Sequence, residues 1–142
     1  MSEPNKAEGQ TYHYDVFISY SSADAGWVRE WLLPRLEDAG LKVCIDFRDF
    51  QIGVPSLMNM EQAVERSRRT LLILTPAWTA SEWTNFEALM LQTNDPIGRG
   101  RRMLPLMLEA CDLPARLSIF TWADFRNPAN RGTELARLLG QI

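Results

Sequence analysis

The sequence predicts an α/β domain: a five-stranded parallel sheet with helices on both faces. Three observations predict it. Five short apolar runs, at 14–20, 41–47, 71–76, 103–108 and 117–125, alternate with segments of helical periodicity, the pattern of repeated strand-helix-strand units. The middle run, LLILTP, is continuously apolar, as a central strand covered on both faces must be. At 142 residues the chain has the size of one domain, able to bury roughly 70% of the surface its unfolded form exposes.

In chain order, residues 1–12 are polar and aperiodic, a disordered lead-in. The first strand, Tyr14 to Tyr20, is followed by SSAD, whose hydroxyls and carboxylate suit a helix start. Trp27, Val28, Trp31, Leu32 and Leu36 then recur at helical steps, with Gly40 placed to end the helix and Pro34 expected to kink or break it. The second run, Leu41 to Phe47, leads into a loop, RDFQIGVP, with Pro55 suited to a first helical turn. The next helix, to about Ser67, places Leu57, Met60 and Val64 on one side, and Pro76 stops the central strand after it. Thr79 and Glu82 have capping-box spacing, and Trp78 and Trp83 that of a hydrophobic staple, so a third helix is expected from Thr79 to about Thr93. MLPLML and LSIFTWADF read as the last two strands, and Leu135, Leu138, Leu139 and Ile142 as the apolar stripe of a final helix.

Composition narrows the function. No apolar run approaches the ~20 residues a membrane span needs, and the polar start has no hydrophobic signal region, so a cytoplasmic protein without membrane contact is expected. A formal charge of −3 disfavours direct nucleic-acid binding by general phosphate attraction. Arg99, Arg101 and Arg102, after Pro96 and Gly98, read as a solvated loop edge. Two separated cysteines, Cys44 and Cys111, read as reduced thiols, and the single histidine, His13, leaves no metal site or hydrolase triad in view. The first strand-helix turn is SYSSADAG rather than GxGxxG, and no GxxxxGK run exists, which disfavours dinucleotide-binding Rossmann and P-loop chemistry. A phosphoacceptor receiver is disfavoured by the absence of acidic ends on the first and third strands and of a lysine on the fifth.

In a parallel sheet ligands bind beyond the carboxyl ends of the strands, here around Ser19 to Ser22, Asp46 to Gly53 and the entry to the third helix. One residue there breaks its pattern. At about 100° per residue, Trp83, Phe86, Leu89, Met90 and Leu91 share one arc of the third helix, and Glu87 falls within it. Thr84, Asn85, Ala88 and Gln92 lie opposite. A carboxylate on an apolar face is either paired or held for use, and the pattern leaves both readings open. An aromatic one turn before an acid suits a base-stacking wall beside a group that favours developing oxocarbenium charge.

YDVFISYSSAD, CIDFRDFQIG and SEWTNFE resemble, in order and spacing, the motifs of Toll/interleukin receptor (TIR) domains, and the likeness covers residues 13–142. It implies a flavodoxin-like three-layer domain. It also implies that Arg48, Asp49, Phe50 and Gly53 lie in a self-association loop, and that function requires crowding with other TIR domains by a sensor outside this chain. In enzymatic members a glutamate one turn after a tryptophan cleaves the nicotinamide-ribose bond of NAD, which is substrate and not cofactor. Glu87 and Trp83 match that pair, and Tyr20, Ser21 and Gln51 match substrate contacts. Enzymatic relatives often carry arginine where Ser21 stands and an acid where Gln51 stands. The expected activity is an NAD glycohydrolase or cyclase in microbial defence signalling, giving ADP-ribose, a cyclic isomer or a base-exchanged product. The alternative, which the receptor-like CIDFRDFQIG and SEW motifs support, is a non-enzymatic scaffold acting through TIR to TIR contacts.

Overall fold

The computed structural model describes residues 12–92 and 102–142. Five parallel strands form one sheet: β1 (Tyr14–Ser19), β2 (Val43–Cys44), β3 (Ser67–Leu74), β4 (Met103–Met107) and β5 (Ala123–Asp124). Their spatial order is β2-β1-β3-β4-β5. The longest strand, β3, pairs with β1 from Tyr14↔Ser67 to Ser19↔Leu72 and with β4 from Thr70↔Met103 to Leu74↔Met107.

Alternation along the strands divides the core into two layers. Val16, Ile18, Leu71, Ile73 and Leu106 face one side, where they meet Val28, Leu32 and Leu36, and Leu138. Phe17, Leu72, Leu74, Met103 and Met107 face the other, against Met60, Ala63 and Val64, and Trp78, Phe86, Leu89 and Met90. Leu71 through Leu74 are all fully buried, as the continuous apolar run requires.

The first layer is covered by α1 and by the last helix, α7 (Arg131–Leu139). Helix α1 is composite: Ser22–Asp24, Ala25–Trp27, Val28–Leu32 and Leu33–Asp38 run head to tail. Within it Val28–Leu32 is a widened π-type turn in which the Leu33 N–H donates to the Val28 carbonyl. Pro34 lies just beyond, at the start of Leu33–Asp38. A proline ring crowds the carbonyl four residues earlier, and the wider turn relieves that crowding without breaking the helix. Gly40 ends α1 at φ +90°, a conformation that favours glycine. On α7, Leu138 is buried while Leu135 and Leu139 pack at the layer's edge, as does Ile142 beyond the helix end.

The second layer is covered by α3 (Ser56–Arg66), α4 (Pro76–Ser81) and α5 (Trp83–Gln92). Two short helices are α2 (Asp46–Asp49) and α6 (Ala115–Ser118).

Three expectations need correction. The run 41–47 contains only the two-residue β2, because Asp46 turns the chain into α2 with its own Oδ1 accepting from the Phe47 N–H at 2.7 Å. The run 117–125 is not one strand: Leu117 and Ser118 belong to α6, which follows Pro114, and only Ala123–Asp124 pairs. The third helix begins at Pro76 rather than Thr79. Thr75 caps it by accepting from the Trp78 N–H at 3.1 Å, Pro76 occupies the first turn, and the Thr79 hydroxyl donates to the Pro76 carbonyl instead. The helix then breaks at Glu82, so Trp83 opens α5.

Most of the polar lead, and Arg99 and Arg101, lie outside the described residues. Arg102 is not simply solvated: its Nη2 donates to the Val64 and Ser67 carbonyls at 2.8 and 3.2 Å, fastening α3 to the start of β3. Among the described residues no helix is long and apolar enough to cross a membrane.

Because β3 is enclosed on both faces, Leu72→Ala is expected to cost about 2–5 kcal/mol, measured by urea denaturation. A cost below about 1 kcal/mol would contradict a close-packed second layer.

Candidate functional site

The carboxyl ends of β1 and β3 lie side by side, and buried polar side chains tie them to the helices that follow. Thr75, fully buried, uses its hydroxyl twice: Oγ1 accepts from Trp78 and donates to Asp24 Oδ2 at 2.7 Å, joining β3 to α1. The indole of Trp78 is fully enclosed, and its Nε1–H donates to Ser19 Oγ at 3.0 Å. Its ring then supports two others, Phe86 with centroids 5.8 Å apart and Trp83 at 6.2 Å.

Trp83 is half-buried on that aromatic shelf, and Glu87 follows one turn later on α5. Phe86, Leu89 and Met90 are buried and Thr84, Asn85 and Ala88 exposed, as the helical pattern predicts, while the Leu91 and Gln92 side chains lie outside the description. The Glu87 side chain is 46% exposed, and Arg116 Nε, from α6, stands 3.9 Å from its Oε2. A half-exposed pair at that length contributes about 0–1 kcal/mol. Glu87 is therefore neither locked in the core nor isolated in bulk water; it stands at the edge of the second layer with a loose, displaceable partner.

Tyr20 and Ser21 follow β1, and both are more engaged than substrate contacts read from sequence suggest. Tyr20 is buried; its hydroxyl donates to Asp46 Oδ1 at 2.5 Å and accepts from Arg29 Nε at 3.0 Å. Burial, and then the bond to Asp46, push its phenol from 10.0 up to about 12. Ser21 is also buried, and its Oγ accepts from the Ala23 N–H at 3.2 Å, capping the first turn of α1. Gln51 is exposed, but its backbone is fixed by Asn59: Asn59 Oδ1 accepts from the Gln51 N–H at 3.0 Å and Nδ2 donates to the Gln51 carbonyl at 3.1 Å. Asn59 reaches the Val54 carbonyl as well, at 3.3 Å. Its role was not visible in the sequence, where an asparagine within a helical pattern gives no sign of bonding backward to a loop.

In α2, which follows β2, Arg48 and Asp49 bond to other groups of the fold. Arg48 pairs with Glu37 at 2.9 Å and donates to the Val43 carbonyl at 2.8 Å, while Asp49 Oδ2 accepts from the Ile45 N–H at 2.8 Å. The Phe50 ring lies 5.9 Å from that of Phe17, and Gly53 adopts φ +88°. The outward apolar surface is made by neighbours: Phe47, Leu57, Met58 and Ile52, the last with its side chain wholly exposed. These residues add exposed apolar area beside Arg48, whose side chain is itself 41% exposed.

An apolar recess of about 300 Å³ lies at the other end of β4, lined by Met103, Phe120, Trp122 and Leu138 among others, and holds no carboxylate. It is remote from the strand ends where the candidate acid stands, and nothing in its lining suits glycosidic chemistry. Among the described residues no cluster of His, Cys, Asp and Glu is placed to hold a metal ion.

Comparison with known proteins adds three findings. The family model described as "TIR domain" matches residues 16–139. Toll-like receptor 6 of Bos taurus is 32% identical over 85 residues, 60% of this chain and 11% of the receptor, so the chain spans about a tenth of that relative's length. Among solved structures, the TIR domain of the Toll-related receptor TRR-2 from Hydra magnipapillata superposes with a TM-score of 0.76 at 28% identity, covering 90% of this chain and 97% of that one.

The bonded Tyr20 hydroxyl has a pH signature. With its phenol raised above 10.0 in the fold, its contribution to stability is complete below about pH 10 and lost as pH rises toward about 12. Tyr20→Phe removes that contribution. In urea denaturation the gap between parent and variant is expected to shrink across this window; Cys44, also pushed up to about 12 by burial, titrates in both proteins and cancels. A gap unchanged with pH would show that the hydroxyl is not held as described.

Proposed function

The chain belongs to the TIR-domain family, and from that premise we propose that it is a signalling domain that cleaves NAD at the nicotinamide-ribose bond once copies pack together. The observation that carries this reading is Glu87: a carboxylate on the apolar side of α5, half-exposed one turn after an aromatic shelf, with Arg116 Nε 3.9 Å away.

The chemistry asks for little more than a well-placed anion. Nicotinamide leaves with the bonding electron pair, its ring nitrogen passing from cationic to neutral, and positive charge develops on the ribose. Glu87 stabilises that oxocarbenium charge and then accepts a proton from the attacking water. NAD and water give nicotinamide, ADP-ribose and a proton. Trp83, held by Trp78, supports a flat ring beside the reacting carbon. On this reading the open side of Glu87 is closed by a second copy, whose approach excludes water and strengthens the field of the carboxylate. The wholly exposed Ile52, with Phe47, Leu57 and Met58, forms the contact surface on the loop side.

A second reading has its own support. The curated relatives include receptors, and the same apolar loop suits a docking module that passes signals by contact alone. One experiment separates the two. Protein clustered on vesicles through a terminal tag is incubated with NAD, and nicotinamide and ribosyl products are followed by mass spectrometry. The parent is expected to release nicotinamide and Glu87→Gln to lose at least about 100-fold in rate, with its urea midpoint unchanged. Absence of release by the clustered parent, or equal release by Glu87→Gln, would leave the docking module as the function.

A further inference from the structure

Glu87 is asked to stabilise a positive charge, yet a positive charge already stands beside it. Arg116 Nε lies 3.9 Å from Glu87 Oε2, and the arginine side chain is 41% exposed. Among the described residues its guanidinium makes no hydrogen bond, and Glu87 is its one ion-pair partner. Arginines that brace this fold bond to carbonyls, as Arg48 does to Val43 and Arg102 to Val64; Arg116 has no such bond. The backbone beneath it is fixed, because Leu117 is buried in the second layer and the Leu117 and Ser118 N–H groups both donate to the Pro114 carbonyl, at 2.9 and 3.0 Å. The side chain is the movable part.

Its place opposes the proposed chemistry. As nicotinamide leaves, positive charge grows on the ribose against the same carboxylate, and a guanidinium held there repels that charge and offsets the anion. At a half-exposed position this slows the step about fivefold. Closure of the site makes the opposition stronger, since excluding water strengthens every charge within it. A closed, working site therefore needs Arg116 turned away, and a loose, half-exposed pair is weak enough to be opened by docking. A body that covers Glu87 meets Arg116. Three residues further on, at the neighbouring position of the helical turn, Ile119 is 71% exposed and offers that body apolar area.

We infer that Arg116 is an autoinhibitory restraint on Glu87: in the free domain it occupies the carboxylate, and a second copy docking over α5 and α6 turns it away. The inference rests on the glycohydrolase reading, and its test keeps the two separable. Parent and Arg116→Gln, checked for equal urea midpoints, are compared in two ways. The first needs no activity: dispersed protein is treated with a water-soluble carbodiimide and glycine amide, and modification of Glu87 is followed by peptide mass spectrometry against the exposed Glu65. Arg116→Gln is expected to be modified at Glu87 about threefold faster than the parent, with Glu65 unchanged. The second is nicotinamide release from NAD. Dispersed Arg116→Gln is expected to work about fivefold faster than dispersed parent at unchanged KM, and the gap to close when both are clustered. Equal modification of Glu87 in the two proteins overturns the restraint whatever the second assay shows. It is also overturned if dispersed Arg116→Gln is no faster than dispersed parent while the clustered parent is active, or if KM rises severalfold, which would mean that the arginine holds substrate. Faster modification with no release by either clustered protein removes the hydrolase and leaves Arg116 as a hold on Glu87.

Discussion

An indole N–H cannot be buried without an acceptor except at a cost of about 1–3 kcal/mol, and Trp78 is buried completely. Its acceptor is the hydroxyl of Ser19, the last residue of β1, while its backbone N–H is received by Thr75, the residue that follows β3. These two bonds fix α4 over the ends of two neighbouring strands and leave its large ring as a wall inside the second layer. Trp83 and Phe86 pack on that wall, and α5 takes its direction from them. The orientation of Glu87 therefore follows from one polar atom that had to be satisfied inside the core.

The rest of the site shows the same economy, with polar groups at the strand ends spent on holding the frame. Ser21 caps α1, Thr75 joins α4 to Asp24, and Tyr20 links β1 to α2 and α1. A side chain with capacity left over stands at the margin: the carboxylate of Glu87. A rigid frame with such a group at its rim suits a site that a neighbouring molecule completes, since closure then needs docking rather than refolding. The loop after β2 has a comparable division, with Arg48, Asp49 and Asn59 bracing it from within and Ile52 displayed outside.

Much of this was legible in the sequence, and the gaps have physical causes. A continuous apolar run identifies β3, and the position of Glu87 on a helical wheel marks it without any coordinates. The origin of α4 was misread because two cap signals overlap within five residues: Thr79 and Glu82 have the right spacing, yet Thr75 followed by Pro76 prevails, since proline in a first turn loses no hydrogen bond. The last strand was overdrawn because a two-residue strand leaves no periodicity to detect. Asp46, Tyr20 and Arg29 meet across 26 and 9 residues of chain; no local pattern records such a meeting. The bonds of the Tyr20 hydroxyl to Asp46 and Arg29 within the fold were thus not legible.

If Glu87 is a rim carboxylate that a second copy encloses, activity must depend on how closely copies approach, which a monomeric site would not. The direct measurement is nicotinamide release per molecule of parent protein as its surface density on vesicles is raised at constant total protein. The account predicts a rate per molecule that climbs steeply with density and then levels off. A measurable rate that stays the same at every density would contradict it.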